Sequence, residues 1–365
     1  MLIKASLKDF YVAGTSVEFD IPLSWADFVR STSTVGRDVS WTSGVSPTYL
    51  RHERTWRQAM LYSGLRSTSS GSTSRLRRTD VYETLDASEK GAMSFFLGQA
   101  TAKYVAEVVF GCVVFAHLDS ALRHMGVPVG GSRPDFIGLC GDGRVLVVEA
   151  KGRSNGLGSV LTEAKHQVSH LPSAPGTSEI RYAHASYFAA AELRVALLDP
   201  GSASVDEVDR EALIKAHYGS IIALLDESRS VLGRSVQSFS SEATGTSISL
   251  TQDVLDDYRS LEAGDLDADG MLLRLRQRRE QEHPLMPAHA GRSHFEAILD
   301  TVESRFNRNS FEIHRDVQMP QDVYELASES SDRRLIMGPD ESVVELDGRW
   351  NQDLMSREVS DRAKE

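Results

Sequence analysis

In the middle of the chain, apolar residues recur at the spacing typical of helices in some segments and at the spacing typical of strands in others. Apolar side chains in residues 86–110 recur three and four positions apart, which predicts a long helix that ends at Gly111. Runs rich in valine, leucine and phenylalanine follow, and they predict three strands at residues 112–118, 134–140 and 144–151. The sequence Gly-Asp-Gly between the last two strands predicts a turn.

The same alternation continues to residue 200. A glycine-rich stretch, GRSNGLG, leads into a helical pattern at residues 159–171, and two strand-like runs follow at residues 183–189 and 193–200. The stretch lacks the GK[ST] of a P-loop, so it is either a flexible connection or a set of backbone N–H groups beside a phosphate. The order helix, three strands, helix, strand predicts an α/β (α+β) core, in which helices flank a mixed central sheet.

Four regions are expected from these patterns. Residues 1–66 mix short strand-like runs with a helical stretch and predict an N-terminal extension. Residues 67–79, STSSGSTSRLRRT, are small and polar and then basic, which predicts a linker. Residues 80–200 hold the α/β core. Residues 201–365 predict a mainly helical C-terminal region, with a hairpin around the sequence GPDES within residues 331–350.

Composition narrows the class of protein. Apolar residues make up 41% and charged residues 25% of the 365 positions, as is usual for a globular protein. No run of roughly 18 apolar residues exists, so no membrane-spanning helix is expected. The two cysteines, Cys112 and Cys140, lack CxxC spacing and cannot form a four-cysteine zinc site. We therefore expect a reduced, cytoplasmic protein that has no membrane partner.

Charge is distributed unevenly along the chain. The net charge of −12 argues against indiscriminate binding to nucleic acid. Residues 1–200 carry a net charge of +2, whereas residues 201–365 carry −14. The first part can therefore meet a polyanion. The acidic second part is either a surface for a protein partner or a solvated helical surface.

The tripeptide Glu-Ala-Lys occurs twice. Because the chain has 52 acidic residues, roughly one acid-x-Lys match arises by chance, so only context distinguishes the copies. Glu163 and Lys165 lie in a helical pattern and would point about 200° apart, so they cannot share a site. Glu149 and Lys151 end a predicted strand, in which residues two apart face the same side.

An aspartate on the preceding strand extends this pair. If residues 141–143 form a three-residue turn, whose last glycine suits the left-handed conformation, Cys140 pairs with Arg144 and Asp135 lies opposite Glu149. A two-residue turn would instead separate the carboxylates onto opposite faces of the sheet. The three-residue turn therefore brings two carboxylates and a lysine to one face.

Such a group of residues has a clear chemical use. Two buried carboxylates repel each other unless a cation joins them, and oxygen ligands suit Mg²⁺ or Mn²⁺. A metal of this kind makes hydroxide available near neutral pH and neutralises charge on a phosphate. Lys151 would orient the attacking water or stabilise the pentavalent phosphorus. These are the parts that phosphodiester hydrolysis needs.

The arrangement resembles the PD-(D/E)XK nuclease superfamily, which includes many restriction endonucleases, recombination exonucleases and junction resolvases. The matching residues are Pro134 and Asp135, thirteen further residues, and then Glu149, Ala150 and Lys151. The resemblance covers the α/β core alone. It implies a restriction-endonuclease-like fold and a metal-dependent endo- or exonuclease that acts on DNA, with a role in prokaryotic restriction or anti-phage defence.

The resemblance also implies a role for each motif residue. Asp135, Glu149 and the backbone carbonyl of Ala150 would bind Mg²⁺, for which Mn²⁺ can substitute. Lys151 would be the catalytic lysine. Members of the superfamily whose motif residues are all present are usually active enzymes, and all of them are present here.

Further side chains are implied less specifically. The first core helix of the superfamily often adds a metal ligand, and the candidates here are Glu89 and Gln99. The helix after the lysine often adds a polar residue, and the candidates are Gln167, as a catalytic residue, and Lys165, as a nucleic-acid ligand.

Alternatives to this interpretation stay open. Some superfamily members have lost catalysis, so the chain is alternatively a catalytically silent module for binding or assembly. An unrelated α/β protein could also use the three charged residues as a structural ion cluster. Arg133 and Arg153 flank the motif strands and either contact nucleic-acid phosphates or are ordinary surface arginines.

Overall fold

The structure is a computed structural model, which describes residues 1–10, 16–36, 38, 46–70, 73–168, 179–199, 209–231, 234–282 and 335–350. The helices are α1 (Trp25–Thr34), α2 (Pro47–Gly64), α3 (Asp80–Thr84), α4 (Ala87–Phe110), α5 (Leu118–His124), α6 (Val160–Val168), α7 (Arg210–Ile222), α8 (Gln252–Ala263) and α9 (Ala268–Glu282). The strands are β1 (Leu2–Lys8), β2 (Ser16–Pro22), β3 (Leu65–Ser70), β4 (Thr73–Arg78), β5 (Cys112–His117), β6 (Phe136–Cys140), β7 (Val145–Gly152), β8 (Glu179–Ala189), β9 (Glu192–Leu198), β10 (Glu227–Val231), β11 (Arg234–Ser241), β12 (Thr246–Thr251), β13 (Leu335–Met337) and β14 (Ser342–Leu346).

A mixed nine-stranded sheet forms the centre of the described chain. Its strand order is β2-β1-β4-β9-β8-β7-β6-β5, and β3 pairs with β4. Strands β5, β6 and β7 are antiparallel to one another, whereas β8 runs parallel to β7 after the crossover through α6. The predicted order of helix, three strands, helix and strand is therefore confirmed except for the short helix α5, which lies between β5 and β6. The α/β class with a mixed central sheet flanked by helices is confirmed as well.

Helix α4 has the boundaries that its sequence predicts. Asp86 is the N-cap, and its side chain accepts hydrogen bonds from the backbone N–H groups of Ser88 and Glu89. Gly111 ends the helix in the left-handed conformation, at φ 68°. Between these ends the helix is largely buried, because it packs on the central sheet and also against α1.

Helices cover both faces of the sheet. Residues of α4 share a hydrophobic cluster with Leu146, Val148 and Ala150 on one face of β7. On the opposite face, α7 packs over Val145 and Val147. Helix α6 packs on this second face as well, over alanine and leucine side chains of β8 and β9. The face that carries the odd-numbered residues of β7 therefore lies between α6 and α7.

Residues 1–66 extend the same sheet. Strand β1 runs parallel to β9, from Lys4 beside Arg194 to Lys8 beside Leu198, and β2 pairs antiparallel with β1 on its outer side. Helices α1 and α2 follow, and α1 packs against α4. The N-terminal region thus belongs to the hydrophobic core that α4 and β7 share.

The linker predicted for residues 67–79 is wrong for the part of this segment that the structure describes. Strands β3 and β4 pair as an antiparallel hairpin, and Leu65 and Leu76 are fully buried in it. Arg75 forms a two-pronged ion pair with Asp20 on β2, at 2.5 and 2.8 Å. A serine-rich composition suggested a flexible chain, but two buried leucines and this ion pair stabilise strands instead.

The mainly helical prediction for residues 201–365 missed a second sheet. Beside α7, α8 and α9, the described residues form an antiparallel sheet in the order β10-β11-β12-β14-β13. Its strands ESRSV, RSVQSFSS and TSISLT are rich in serine and carry few apolar side chains, so their sequence gives a weak strand signal. The hairpin predicted around GPDES is confirmed, because β13 pairs with β14 around it. No described helix is both long enough and apolar enough to cross a bilayer.

Asp340, at the tip of the β13–β14 hairpin, is a charged residue that is fully buried in the core. Asp340 lies 3.0 Å from Nε2 of His217 and 3.5 Å from both Lys103 and Arg30, on three different helices. Glu107 pairs with Arg30 and, at 3.0 Å, with Lys103. We call these five residues the Asp340 cluster. Burial alone would raise the pKa of Asp340, but Lys103, His217 and Arg30 hold it well below its usual value.

Replacing Asp340 should therefore be costly. We expect Asp340→Ala to lower the free energy of unfolding by about 3–5 kcal/mol, because Lys103 and Arg30 would stay buried with Glu107 as their sole carboxylate partner in the cluster. Urea unfolding followed by circular dichroism measures this. Asp256→Ala is the matched control, since Asp256 is exposed and pairs with Arg259 on the surface of α8, and it should cost less than about 1 kcal/mol. Equal losses in the two variants would contradict the prediction.

Candidate active site

The turn between β6 and β7 sets the register of the site. The Cys140 N–H donates to the Arg144 carbonyl at 2.8 Å, and the Gly143 N–H donates back to the Cys140 carbonyl at 2.9 Å. Gly143 has φ 87°, in the left-handed region that favours glycine. The three-residue turn predicted from the sequence is therefore confirmed. The ladder continues to Phe136 opposite Val148, so Asp135 lies opposite Glu149, one step beyond it.

Two acidic side chains and one basic side chain lie close together at this end of the sheet. The Asp135 carboxylate accepts a hydrogen bond from the Ala150 N–H at 3.0 Å, and the Asp135 carbonyl accepts one from the Leu118 N–H at 2.9 Å. The Lys151 ammonium forms an ion pair with Oε1 of Glu149. The Glu149 side chain is 1% exposed, whereas that of Lys151 is 28% exposed. The lysine therefore connects a buried carboxylate with solvent.

The buried carboxylate is not fully compensated. Burial and, to a lesser extent, the charge of Asp135 raise the pKa of Glu149 to about 7, against the opposing effect of Lys151. The second oxygen, Oε2, is buried and has no hydrogen-bond partner. Lys151 thus pairs with one oxygen of Glu149, and the other oxygen of this buried carboxylate is left without a donor.

These features fit a divalent cation. A cation would offset the repulsion between Asp135 and Glu149 and would use the unpartnered oxygen. The Ala150 N–H points to Asp135, and the N–H and C=O of a strand residue point in the same direction, so the Ala150 carbonyl lies on that side as well. Among the described residues, no three histidine, cysteine or acidic side chains converge on one point. A bound Mg²⁺ would therefore keep several waters in its shell.

Neither of the two metal-ligand candidates from the first core helix forms a hydrogen bond with Asp135 or Glu149. Glu89 is exposed and accepts a hydrogen bond from the Asp86 N–H, as part of the N-terminal capping box of α4. Gln99 is buried, and its oxygen accepts a hydrogen bond from Arg57 on α2 at 3.4 Å. Glu89 therefore caps the helix, and Gln99 links α4 to α2.

Helix α6 carries the remaining helical candidates. Its buried side consists of Val160, Leu161, Ala164 and Val168. Gln167 and Lys165 are half-buried on its flanks. Glu163, from the second Glu-Ala-Lys copy, is exposed and accepts a hydrogen bond from Ser159 Oγ at 2.9 Å. This copy is helix surface, as its spacing predicts.

The two flanking arginines differ in what they contact. Arg133 forms an ion pair with Asp119, with Nε 2.6 Å from the carboxylate, so its charge is neutralised. The Arg153 side chain is exposed and makes no hydrogen bond or ion pair within the described part of the chain, while its N–H donates to the Ser186 carbonyl at 2.8 Å. Of these two arginines, only Arg153 therefore has a charge that no described residue neutralises.

Two small residues that sequence reasoning missed adjoin the site. Ala183 and Ala185 pair with Glu149 and Lys151 in the parallel β7–β8 ladder, and both are fully buried on the same face. Side chains this small let α6 pack closely on β8 beside the two charged groups. The alternation of small residues in AHASYFA was the available signal.

Comparison of the chain with protein-family models, with curated proteins and with solved structures gave no match. A function for the chain has to come from the geometry and electrostatics around Asp135, Glu149 and Lys151.

The raised pKa of Glu149 predicts a pH-dependent stability. In EDTA the native state holds a proton on Glu149 that the unfolded state has released, so stability falls as pH rises from 4.5 to about 7. The loss relative to Glu149→Gln should be on the order of 3 kcal/mol. Urea unfolding at a series of pH values tests this, and parallel profiles for the two proteins would contradict it. Added Mg²⁺ should restore stability at pH 7.5 in the wild type but not in Glu149→Gln.

Proposed function

We propose that this protein is a Mg²⁺-dependent nuclease that hydrolyses phosphodiester bonds of DNA. The observation that carries the proposal is the pairing of Asp135 opposite Glu149, with Lys151 on the same face of β7. The buried Oε2 of Glu149 supports it further, because this atom has no hydrogen-bond donor and a metal would bind it.

Each residue has a distinct task in this mechanism. Asp135 and Glu149 would hold the cation together with the carbonyl of Ala150. When bound, Mg²⁺ acts as a Lewis acid that lowers the pKa of a bound water and neutralises phosphate charge. Lys151 leaves its ion pair with Glu149, then orients the attacking water or stabilises the negative charge that develops on the phosphate. Its partial exposure allows this movement.

The topology around the site supports the same proposal. Apart from the short helix α5 between β5 and β6, the succession α4, β5, β6, β7, α6 and β8 resembles the core of the PD-(D/E)XK superfamily, with β8 parallel to β7 and with α4 and α6 on opposite faces. In that comparison, the end of β7 is where the catalytic residues are expected. A role in restriction or anti-phage defence rests on this resemblance alone.

A second candidate function is a catalytically silent nuclease-like module. The absence of a third converging ligand among the described residues favours it, as does the engagement of Lys151 by Glu149. Such a module would bind nucleic acid or assemble with a partner without cutting. Cleavage assays separate the two candidates.

The two Glu-Ala-Lys copies provide a matched test. Plasmid DNA, linear duplex, single-stranded DNA and RNA are incubated with wild type in Mg²⁺, Mn²⁺ or EDTA. We expect metal-dependent cutting of DNA, reduced about 100-fold or more by Lys151→Ala and by Glu149→Gln, because Lys151 acts on the attacking water or the phosphate and Glu149 would hold the cation.

Glu163→Gln is the control for the acidic substitution. Glu163 is exposed on α6 and contacts Ser159, so its replacement should leave cutting unchanged. Cutting that survives Lys151→Ala would refute the mechanism. A wild-type protein that cuts none of the four substrates with either metal would favour the silent module.

A further inference from the structure

Exposed aromatic side chains are concentrated in one part of the surface. Among the described residues, the large aromatic side chains with high exposure are Tyr49 at 70%, Trp56 at 50% and Phe95 at 47%. Tyr49 and Trp56 lie seven positions apart on α2, and hence on one face of that helix. Phe95 lies on α4, which packs against α2. Leaving such rings in water costs free energy, so a grouped set of them indicates a binding surface.

The rings are fixed in place. Phe96 packs edge to face against both neighbours, with its centroid 5.1 Å from Trp56 and 5.2 Å from Phe95. The Arg57 guanidinium lies 4.5 Å from the centre of the Phe96 ring and donates a hydrogen bond to the Val35 carbonyl at 2.8 Å. We call Trp56, Phe95 and Phe96 the aromatic platform.

The aromatic platform begins beside the end of β7. Gly152, the residue after Lys151, packs directly on α4: a Cβ there would lie 1.6 Å from the Ser94 carbonyl oxygen and 3.0 Å from the Phe95 nitrogen. Only glycine permits this approach. The backbone of Phe95 is therefore adjacent to the strand end that carries Lys151, and the exposed Arg153 follows immediately.

We infer that the aromatic platform stacks the bases of a single-stranded nucleic acid whose backbone runs past Arg153 to the candidate active site. This inference deepens the proposed function and rests on it. Aromatic rings stack on any base, so they bind single strands without sequence preference. Arg153 would contact the phosphate next to the stacked bases.

The charge of the protein favours a single strand over a duplex. A duplex hides its base faces and binds chiefly through many phosphate contacts. Near the site, however, Arg133 is neutralised by Asp119, and the chain as a whole carries a net charge of −12. Aromatic rings with one exposed arginine suit a strand whose bases are accessible. A protein partner would also bury exposed rings, and it is the competing occupant.

Binding assays on the full chain test the inference. Fluorescence anisotropy in EDTA, which prevents cutting, measures the Kd of a labelled single strand of about a dozen nucleotides and of a duplex of equal length. We expect wild type to prefer the single strand. The double variant Trp56→Ala/Phe95→Ala should raise the single-strand Kd roughly 10- to 100-fold. The ring-conserving variant Trp56→Phe/Phe95→Tyr should stay within about threefold of wild type, since stacking is retained.

Leu273→Ala is the control for loss of exposed apolar surface. Leu273 is 54% exposed on α9, away from the platform, and its replacement should leave both Kd values unchanged. Because the binding assay needs no catalysis, its result is independent of cleavage. Ring-dependent binding by a protein that cuts nothing would support the platform and refute the nuclease proposal.

The opposite combination is equally informative. Metal-dependent cutting that is lost in Lys151→Ala, together with an unchanged single-strand Kd in the double alanine variant, would overturn the platform and keep the nuclease. Failure of wild type to bind any single strand would also overturn it, and would favour a protein as the occupant of the exposed rings.

Discussion

The register of the β6–β7 hairpin is the constraint on which the candidate site depends. Residues 141–143 form a three-residue turn, and Gly143 supplies the left-handed conformation that such a turn requires. Because side chains alternate along a strand, a slip of one residue would turn Asp135 toward the face that carries Phe136 and α4. Its hydrogen bond to Ala150 and its repulsion of Glu149 exist only in the observed register.

Two groups of buried charges in this protein contrast with each other. In the Asp340 cluster, two basic side chains meet two carboxylates, and the pKa of Asp340 is lowered. At the end of β7, Lys151 pairs with the buried Glu149 beside Asp135, and the pKa of Glu149 is raised. A balanced set of charges is what a structural role requires. A carboxyl group whose pKa is raised by burial and by a second carboxylate is more typical of a functional site.

Sequence reasoning succeeded where the signal was local. The period of apolar residues predicted α4 and the strands around Glu149, and Gly143 predicted the turn, because each depends on neighbouring residues alone. Reasoning failed, or left alternatives open, where the decisive partner is distant in sequence. Arg133 is neutralised by Asp119 across the α5–β6 connection, Arg75 is paired with Asp20 on another strand, and neither pairing has a local signature. The serine-rich strands β3, β10 and β11 are likewise stabilised by the strands beside them rather than by their own composition.

The position of Asp340 has a consequence for how the protein is made. Lys103 and Asp340 are 237 residues apart in the chain, yet they meet in the core. As the chain leaves the ribosome, α1 and α4 are complete long before the hairpin that brings their counter-charge. Until then, Arg30 and Lys103 have Glu107 as the one carboxylate of their cluster, which disfavours burying them. The packing of α1 and α4, which supports the end of β7, is therefore completed only late in synthesis. A nascent chain that lacks the β13–β14 hairpin would not yet have a fully formed candidate site.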